Sequence, residues 1–513
     1  MIDALRNAGR LLVLGRLLAQ HDALFVLERF SLGRLLMWAA RPLVRRQPRS
    51  ARPRRGQRLA RALQAAGPSF VKLGQMLASR SDLLGEQMAR DLAELQDRLP
   101  PFPFDEVRIA VEEEFGRPLE ALFSSFDEQP VAAASIAQVH FALDSEGREV
   151  AVKVLRPGIE KALGRDLELF FWIARLAERK LPALRRLRLL ESLDALTASV
   201  AVEMDLRFEA AAAAELADNF EGDPSFYVPA VDWARTGRRV LTTERVGGLK
   251  INERDAIIAQ GHEPRAVLTR AANAFFQQVF IDGFFHGDLH AGNMFVRPDG
   301  SVAVVDFGIM GRLDRATRRH LGELLLAFLT RDWRRAAEVH FAAGWIPADR
   351  SLDAFAQACR SIAEPILDRP QNEISVARLL GQLFQVTETF AMEAQPQLLL
   401  LQKTMLVAEG TGRSIEPDAN MWILARPLIE SWCAETLGPQ ARIREGATDV
   451  AAALARLPEL VRRAEHGFAV LAEGRLRIDA QSLREARSDR GAAMAGWLVA
   501  AVLAGTLFGL LIR

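Results

Sequence analysis

The chain has 513 residues, and 66 Lys and Arg against 65 Asp and Glu leave a formal charge of +1. Half the residues are hydrophobic and 26% are charged, which supports a sizeable core over two or more units and excludes a disordered chain. The near-zero balance excludes a protein that grips nucleic acid over its whole surface, and two cysteines, Cys359 and Cys433, exclude a disulfide framework and any four-cysteine zinc site.

Residues 1–61 read as a helical segment followed by an Arg-rich one. Acid and Arg interrupt the apolar positions from Met1 to Arg16, so no secretory signal is expected. Between Arg41 and Arg61 stand nine Arg, three Pro and no acid. Such a run is not expected to bury a core. It suits anionic lipid head groups, at about 1 kcal/mol per basic residue near the surface, as well as it suits a solvated linker. It lacks the interleaved aromatics that stack on bases.

Farther on, Val131 to Val139 (VAAASIAQV) leads into an alternating stretch, then a Ser145-Glu146-Gly147 turn and the strand Glu149 to Val154 (EVAVKV). A hairpin with a small-residue approach is predicted. Small residues let backbone N–H groups come close to phosphates, and Lys153 can meet the phosphates' negative charge. Positive φ is costly for Ala, by roughly 1 to 2 kcal/mol, so the loop is expected to sit differently from a glycine-rich one. From Ser192 to Asn219 the composition predicts one long helix carrying Glu203, Asp205 and Glu209, one of which should pair with Lys153. Their spacing puts them on different faces, so they cannot all serve one partner.

His286 to Asn293 reads HGDLHAGN and Val302 to Gly308 reads VAVVDFG, with Asp288 five positions before Asn293 and eighteen before Asp306. This order resembles the catalytic loop and metal-binding Asp-Phe-Gly of protein kinases, where one Asp orients the nucleophile while Asn and the second Asp hold magnesium. Magnesium takes hard oxygen ligands, which suits a carboxylate and an amide; the two His of the motif are read as structural. After His320 the pattern turns helical, with apolar stripes over Leu321 to Gly344, Leu352 to Leu367, Val376 to Met392 and Leu398 to Glu409, all read as core. Gly491 to Ile512 carries no charged residue and, at 1.5 Å per residue, reaches about 33 Å, enough for a transmembrane helix. Arg484, Arg487 and Arg490 precede it and place the bulk of the chain in the cytoplasm by the positive-inside rule. Gly505 and Gly509 form a small-xxx-small pair able to bring two such helices together as a homodimer.

Taken with Lys72-Leu73-Gly74-Gln75, Ala132-Ala133-Ala134-Ser135 and Glu203-Met204-Asp205, these motifs resemble those of the UbiB family, atypical kinase-like proteins that support ubiquinone biosynthesis. The four matching features are KxGQ, the alanine-rich loop, ExD, and HGDLHAGN followed by DFG. The resemblance covers Ala62 to His320 and runs through Leu95 to Pro101 (LQDRLPP). It implies an α+β, atypical protein-kinase-like bilobal fold, with a small β-sheet plus helix N-lobe and a mostly α C-lobe. A helical KxGQ extension would span 62–128, the N-lobe 129–248 and the C-lobe 249–445, with a helical connector at 446–490 and the transmembrane helix at 491–512.

The resemblance also implies roles. ATP and Mg2+ are the implied cofactors. Lys153 would bind the α and β phosphates and pair with Glu209, Asp288 would be the catalytic acid/base position, and Asn293 and Asp306 would hold magnesium. Val131, Ala132, Ala133, Ala134, Ser135, Ile136, Ala137, Gln138 and Val139 would form the nucleotide loop, and Glu244, Arg245, Val246 and Gly247 the hinge beside adenine. Lys72 and Gln75 would point into the site near Glu203 and Asp205, with their helix over the place where an ordinary kinase accepts a peptide. The implied activity is ATP hydrolysis or phosphorylation of a small molecule at a bacterial inner membrane. Its implied partners are membrane lipids such as cardiolipin and ubiquinone-pathway enzymes or lipophilic quinone precursors. A nucleotide-binding scaffold without turnover and a true protein kinase are the alternatives.

Overall fold

The computed structural model describes residues 2–27, 53–78, 86–93, 100–180, 189–364, 386, 389–392, 395–416, 427–428 and 431–432. The expected connector at 446–490 and transmembrane helix at 491–512 lie outside them, as does most of the stripe from Val376 to Met392. Among the described residues no helix is long and apolar enough to cross a membrane.

Among the described residues four helices come first: α1 (Ile2–Gln20), α2 (Arg55–Ala66), α3 (Pro68–Ala78) and α4 (Glu86–Ala93). Helix α2 corrects the expectation that the whole Arg-rich run stays out of a core. Gly56, Leu59, Ala62 and Leu63 are buried at helical spacing, and Arg58 folds inward to donate to the carbonyl of Asp22 at 2.8 Å. The Arg58 guanidinium lies 5.4 Å from the Phe25 ring centre and pairs with Asp22, so Arg at this position does not prevent packing. Helix α3 carries KxGQ and buries Phe70 and Val71, with Phe70 edge-on to Phe170 at 5.0 Å.

The small lobe follows, with α5 (Phe104–Phe115), α6 (Leu119–Leu122), β1 (Phe123–Phe126), β2 (Ala132–Ala133), β3 (Ala137–Asp144) and β4 (Glu149–Leu155). After α7 (Ile159–Lys180), α8 (Leu189–Glu203), α9 (Leu206–Asn219) and β5 (Phe226–Tyr227) comes β6 (Val240–Glu244). Strands β1, β3, β4 and β6 form an antiparallel sheet in that order, and β2 pairs with β3. Alternation along β4 explains its two faces. Val150, Val152 and Val154 are buried against Val107 and Val111 of α5, so the intervening Lys153 is on the opposite face.

The long helix predicted over Ser192 to Asn219 is in fact two. Asp205 ends the first by adopting extended backbone, with φ −131° and ψ 95°, and its carboxylate accepts the Arg207 N–H at 3.2 Å to cap α9. The alanine-rich composition conceals this cap. Ala210 and Ala213, fully buried, let α9 lie close to its neighbours.

The larger lobe holds β7 (Leu249–Lys250), α10 (Arg254–Ala259), α11 (Pro264–Phe276), a π-helical turn at Gln277–Asp282, β8 (Phe284–His286), β9 (Met294–Val296), β10 (Val302–Val304) and β11 (Met310–Arg312). Strands β5, β10, β9 and β7 form one small sheet, and β8 pairs with β11. Among the described residues the lobe continues with α12 (Arg315–Leu329), α13 (Trp333–Ala342), α14 (Leu352–Ala363) and α15 (Pro396–Ile415). The stripe from Leu321 to Gly344 is thus broken, at Arg331, whose φ is +58°.

Gly311 stands opposite Phe285 across the β8–β11 pair, and a Cβ there would overlap that fully buried ring. Gly311→Ala is therefore expected to lower stability by about 1 to 3 kcal/mol, read as an earlier urea midpoint. An unchanged midpoint would show that the ring can move aside.

Candidate active site

Lys153 joins the two lobes. Its Nζ donates to Glu209 Oε1 at 2.7 Å and Oε2 at 3.0 Å, and to Asp306 Oδ1 at 2.9 Å. Of the three acids on the predicted long helix, Glu209 is thus the partner of Lys153, sitting in the first turn of α9 behind the Asp205 cap. Glu203 instead pairs with Lys72, Nζ to Oε2 at 2.7 Å, which ties the KxGQ helix to the end of α8. Asp205 caps α9 and holds the Arg207 guanidinium at 2.6 and 2.9 Å. Gln75 is half-buried on α3, one turn from Lys72.

Burial opposes the charge on Lys153, but Asp306 and Glu209 together outweigh it and hold the ammonium well above the usual lysine range. For Glu209, burial dominates over the attraction of Lys153 and pushes the carboxyl up to about 7. Asp306 responds in the opposite sense. The ammonium of Lys153 holds that carboxyl, whose side chain is 51% exposed, far below the usual range. The cluster thus sets a held cation and a held anion beside an acid whose ionisation burial opposes.

Asp306 has φ +66°, a left-handed backbone that Asp tolerates better than most residues, at a cost of about 1 to 2 kcal/mol. That turn ends β10 and brings the carboxylate to Lys153. Asp288 is set by His286. The buried His286 ring accepts the Asp288 N–H on Nδ1 at 3.1 Å and donates from Nε2 to the Val305 carbonyl at 3.3 Å. Burial lowers its pKa, which keeps the ring neutral, as this donor and acceptor pairing requires. One imidazole therefore braces the loop of Asp288 against the residue before Asp306, a structural role consistent with the sequence reading of this His. Asn293 donates from Nδ2 to the Asp288 carbonyl at 3.1 Å, leaving Oδ1 available to accept or ligate. An amide oxygen and a carboxylate are hard donors suited to magnesium, which completes its octahedral shell with water and phosphate oxygens.

The nucleotide loop is only partly accessible. Val131 and Ala132 are exposed and Ala133 and Ala134 half-buried, whereas Ser135, Ile136, Ala137 and Gln138 are buried and Val139 is half-buried. Ile136 and Ala137 belong to the core beside Leu155 and Ile159, and the Gln138 side chain bonds the Phe102 N–H at 2.9 Å and carbonyl at 3.3 Å. The second half of the segment thus anchors the first. None of these residues has positive φ, and Ala134 N–H closes the turn onto the Ala137 carbonyl at 2.8 Å. The alanine loop is thus the turn of a short β-hairpin between β2 and β3.

At the hinge, Glu244 accepts from the hydroxyl of Tyr227, and the Arg245 guanidinium lies over Phe141 at 4.1 Å and near Glu149 at 3.4 Å. Those side chains serve the sheet edge; Val246 is half-buried and Gly247 exposed.

One contact has no counterpart in the sequence reading. Helix α15 lies on the Asp288 loop, where Thr404 Oγ1 is 2.9 Å from the Gly287 carbonyl and Lys403 Nζ donates to Asp288 Oδ1 at 3.1 Å. The stripe Leu398 to Glu409 is read from sequence as core alone. A composition signal was present: only six residues of the chain are Lys, against sixty Arg, and Lys403 is one of them.

Comparisons with known proteins match this layout. A family model described as an ABC1 atypical kinase-like domain matches residues 94–340, and one described as a UbiB helical domain matches residues 359–420. A protein of Aeromonas salmonicida named "Probable protein kinase UbiB" is 43% identical over 436 residues, spanning 83% of this chain and 79% of its own length. One of the same name from Marinobacter nauticus is 42% identical, over 79% of this chain and 75% of its own. Among solved structures, the complex of Rv3197 with erythromycin from Mycobacterium tuberculosis is similar with a TM-score of 0.50 and 26% identity, over 70% of this chain and 90% of that one. The fold is accordingly of the atypical protein-kinase type, mixed α/β and mostly helical.

Proposed function

The chain belongs to the UbiB family of ABC1 atypical kinase-like proteins, and from that premise we propose that it binds ATP with Mg2+ between its lobes and hydrolyses it. The observation that carries this reading is Lys153, which bridges Glu209 of one lobe and Asp306 of the other, as phosphate-binding chemistry needs. Lys153 would meet the α and β phosphates over the accessible alanines of the loop. Asn293 Oδ1 and the Asp306 carboxylate would hold magnesium, which neutralises charge on the phosphoryl oxygens. Asp288 takes the proton of the attacking water as that oxygen bonds to the γ-phosphorus and the bond to the bridging oxygen breaks, releasing ADP. A small-molecule hydroxyl in place of water gives phosphorylation by the same step.

The setting we propose is a bacterial inner membrane, with 491–512 as anchor, anionic lipid such as cardiolipin as a partner, and ubiquinone biosynthesis as the process served through lipophilic precursors or their enzymes. Support comes from the uncharged C-terminal run and from the family. The experiment is phosphate release from Mg·ATP by the full chain in cardiolipin-containing liposomes. Asp288→Asn is expected to lower turnover by about 10² to 10⁴ while nucleotide binding persists. Turnover equal to wild type would remove Asp288 from the chemistry, and binding without any turnover would favour a scaffold.

A further inference from the structure

Of the six lysines, Lys161 and Lys250 are exposed and Lys180 ends α7, while Lys72, Lys153 and Lys403 each hold a carboxylate of the candidate site. This chain uses Arg sixty times where a cation is wanted. Keeping Lys at three places around one cleft selects for a compact point charge with three rotatable donors, in contrast to a planar fork. Lys72 and Lys153 are largely buried in their ion pairs. Lys403 differs, since its side chain is 53% exposed and Asp288 is its one partner among the described residues.

The position of Lys403 is fixed from several sides. Thr404 contacts the Gly287 carbonyl, Leu400 packs against Gly287, and Arg254 Nε donates to the Ile415 carbonyl at the far end of α15, at 2.8 Å. The ammonium is thus delivered beside Asp288 by a helix from the 359–420 region, and the loop HGDLHAGN itself contains no Lys or Arg. A carboxylate that takes a proton from the attacking oxygen lies one atom from the phosphorus under attack. A cation hydrogen-bonded to that carboxylate, with two donors to spare, reaches the terminal phosphate.

We propose that Lys403 contacts the γ-phosphate of bound nucleotide and makes the site prefer a triphosphate over a diphosphate. This rests on the reading that ATP occupies the cleft. It makes α15 part of the active site and couples its docking to nucleotide choice.

The test measures dissociation constants of Mg·ATP and Mg·ADP for the full chain, by competition with a fluorescent ADP analogue, in wild type, Lys403→Met and Lys403→Arg. Lys403→Met is expected to weaken Mg·ATP about tenfold or more while Mg·ADP stays within twofold. Lys403→Arg keeps the charge and the long stem, so it reads the same ratio should the Met variant fold poorly; its preference is expected to drop about threefold or more. An ATP-to-ADP ratio within twofold of wild type in both variants, with both nucleotides bound, overturns the role of Lys403 alone. A wild-type chain that binds neither nucleotide overturns the ATP reading as well.

Discussion

Asp306→Asn is expected to abolish the magnesium dependence of ATP binding and to lower phosphate release by about 10³ or more, equivalent to about 4 kcal/mol of transition-state stabilisation. The substitution keeps shape and, because Asn also tolerates left-handed backbone, keeps the φ of +66° that ends β10. It removes charge alone. The carboxylate is held far down by Lys153 and is therefore ionised at neutral pH, so the wild type presents a hard anion there. A neutral amide cannot replace that anion for magnesium. Calorimetric titration with ATP, with and without magnesium, reads the effect directly: the variant should show the weak magnesium-free binding in both. An intact magnesium enhancement would move the metal away from Asp306.

The site was legible where local pattern and chemistry coincide. EVAVKV read as a strand carrying Lys153, and the five- and eighteen-residue spacings ordered Asn293 and Asp306 relative to Asp288. What failed to show was tertiary or masked by composition. Asp205 stops a helix through one side-chain hydrogen bond, inside a stretch whose alanines argue for continuity. Gln138 looks like a loop residue until Phe102, 36 positions earlier, is seen to occupy its amide. Lys403 lies 115 positions from Asp288, a separation no motif spans, and its apolar stripe argues only for packing. Its one sequence signal is the scarcity of Lys in an Arg-rich chain, a signal that becomes meaningful once three of the six are found around one cleft.

Lys153→Met should destabilise the fold, and by an amount that depends on pH. Removing one member of a buried ion pair leaves its partner uncompensated, at a cost of about 3 to 5 kcal/mol. Glu209 is only 8% exposed, so it is the partner that suffers most. Burial already raises it to about 7 against the pull of Lys153, and without that pull it rises further. A carboxyl raised in the folded state binds its proton more tightly there than in the unfolded chain, so stability falls as pH climbs from the unfolded value, 4.5, toward the folded one. In the wild type this decline ends near 7; in the variant it continues. Asp306 acts in the other direction, since its depressed value gives stability that is present above the unfolded value and lost in acid. That contribution, reduced by solvent screening because the Asp306 side chain is 51% exposed, shrinks in the variant above about pH 4 and is the smaller of the two. The stability gap between wild type and Lys153→Met, taken from urea midpoints followed by tryptophan fluorescence, should therefore be smaller at pH 5 and widen by about 1 to 2 kcal/mol at pH 8, since one unit of differential shift is about 1.4 kcal/mol. A gap that stays constant would mean that Glu209 does not titrate in this range and that the cluster is held by packing. A gap that narrows with pH would reverse the sign of the Glu209 shift and with it the assignment of Lys153 as the cation that keeps this acid in the site.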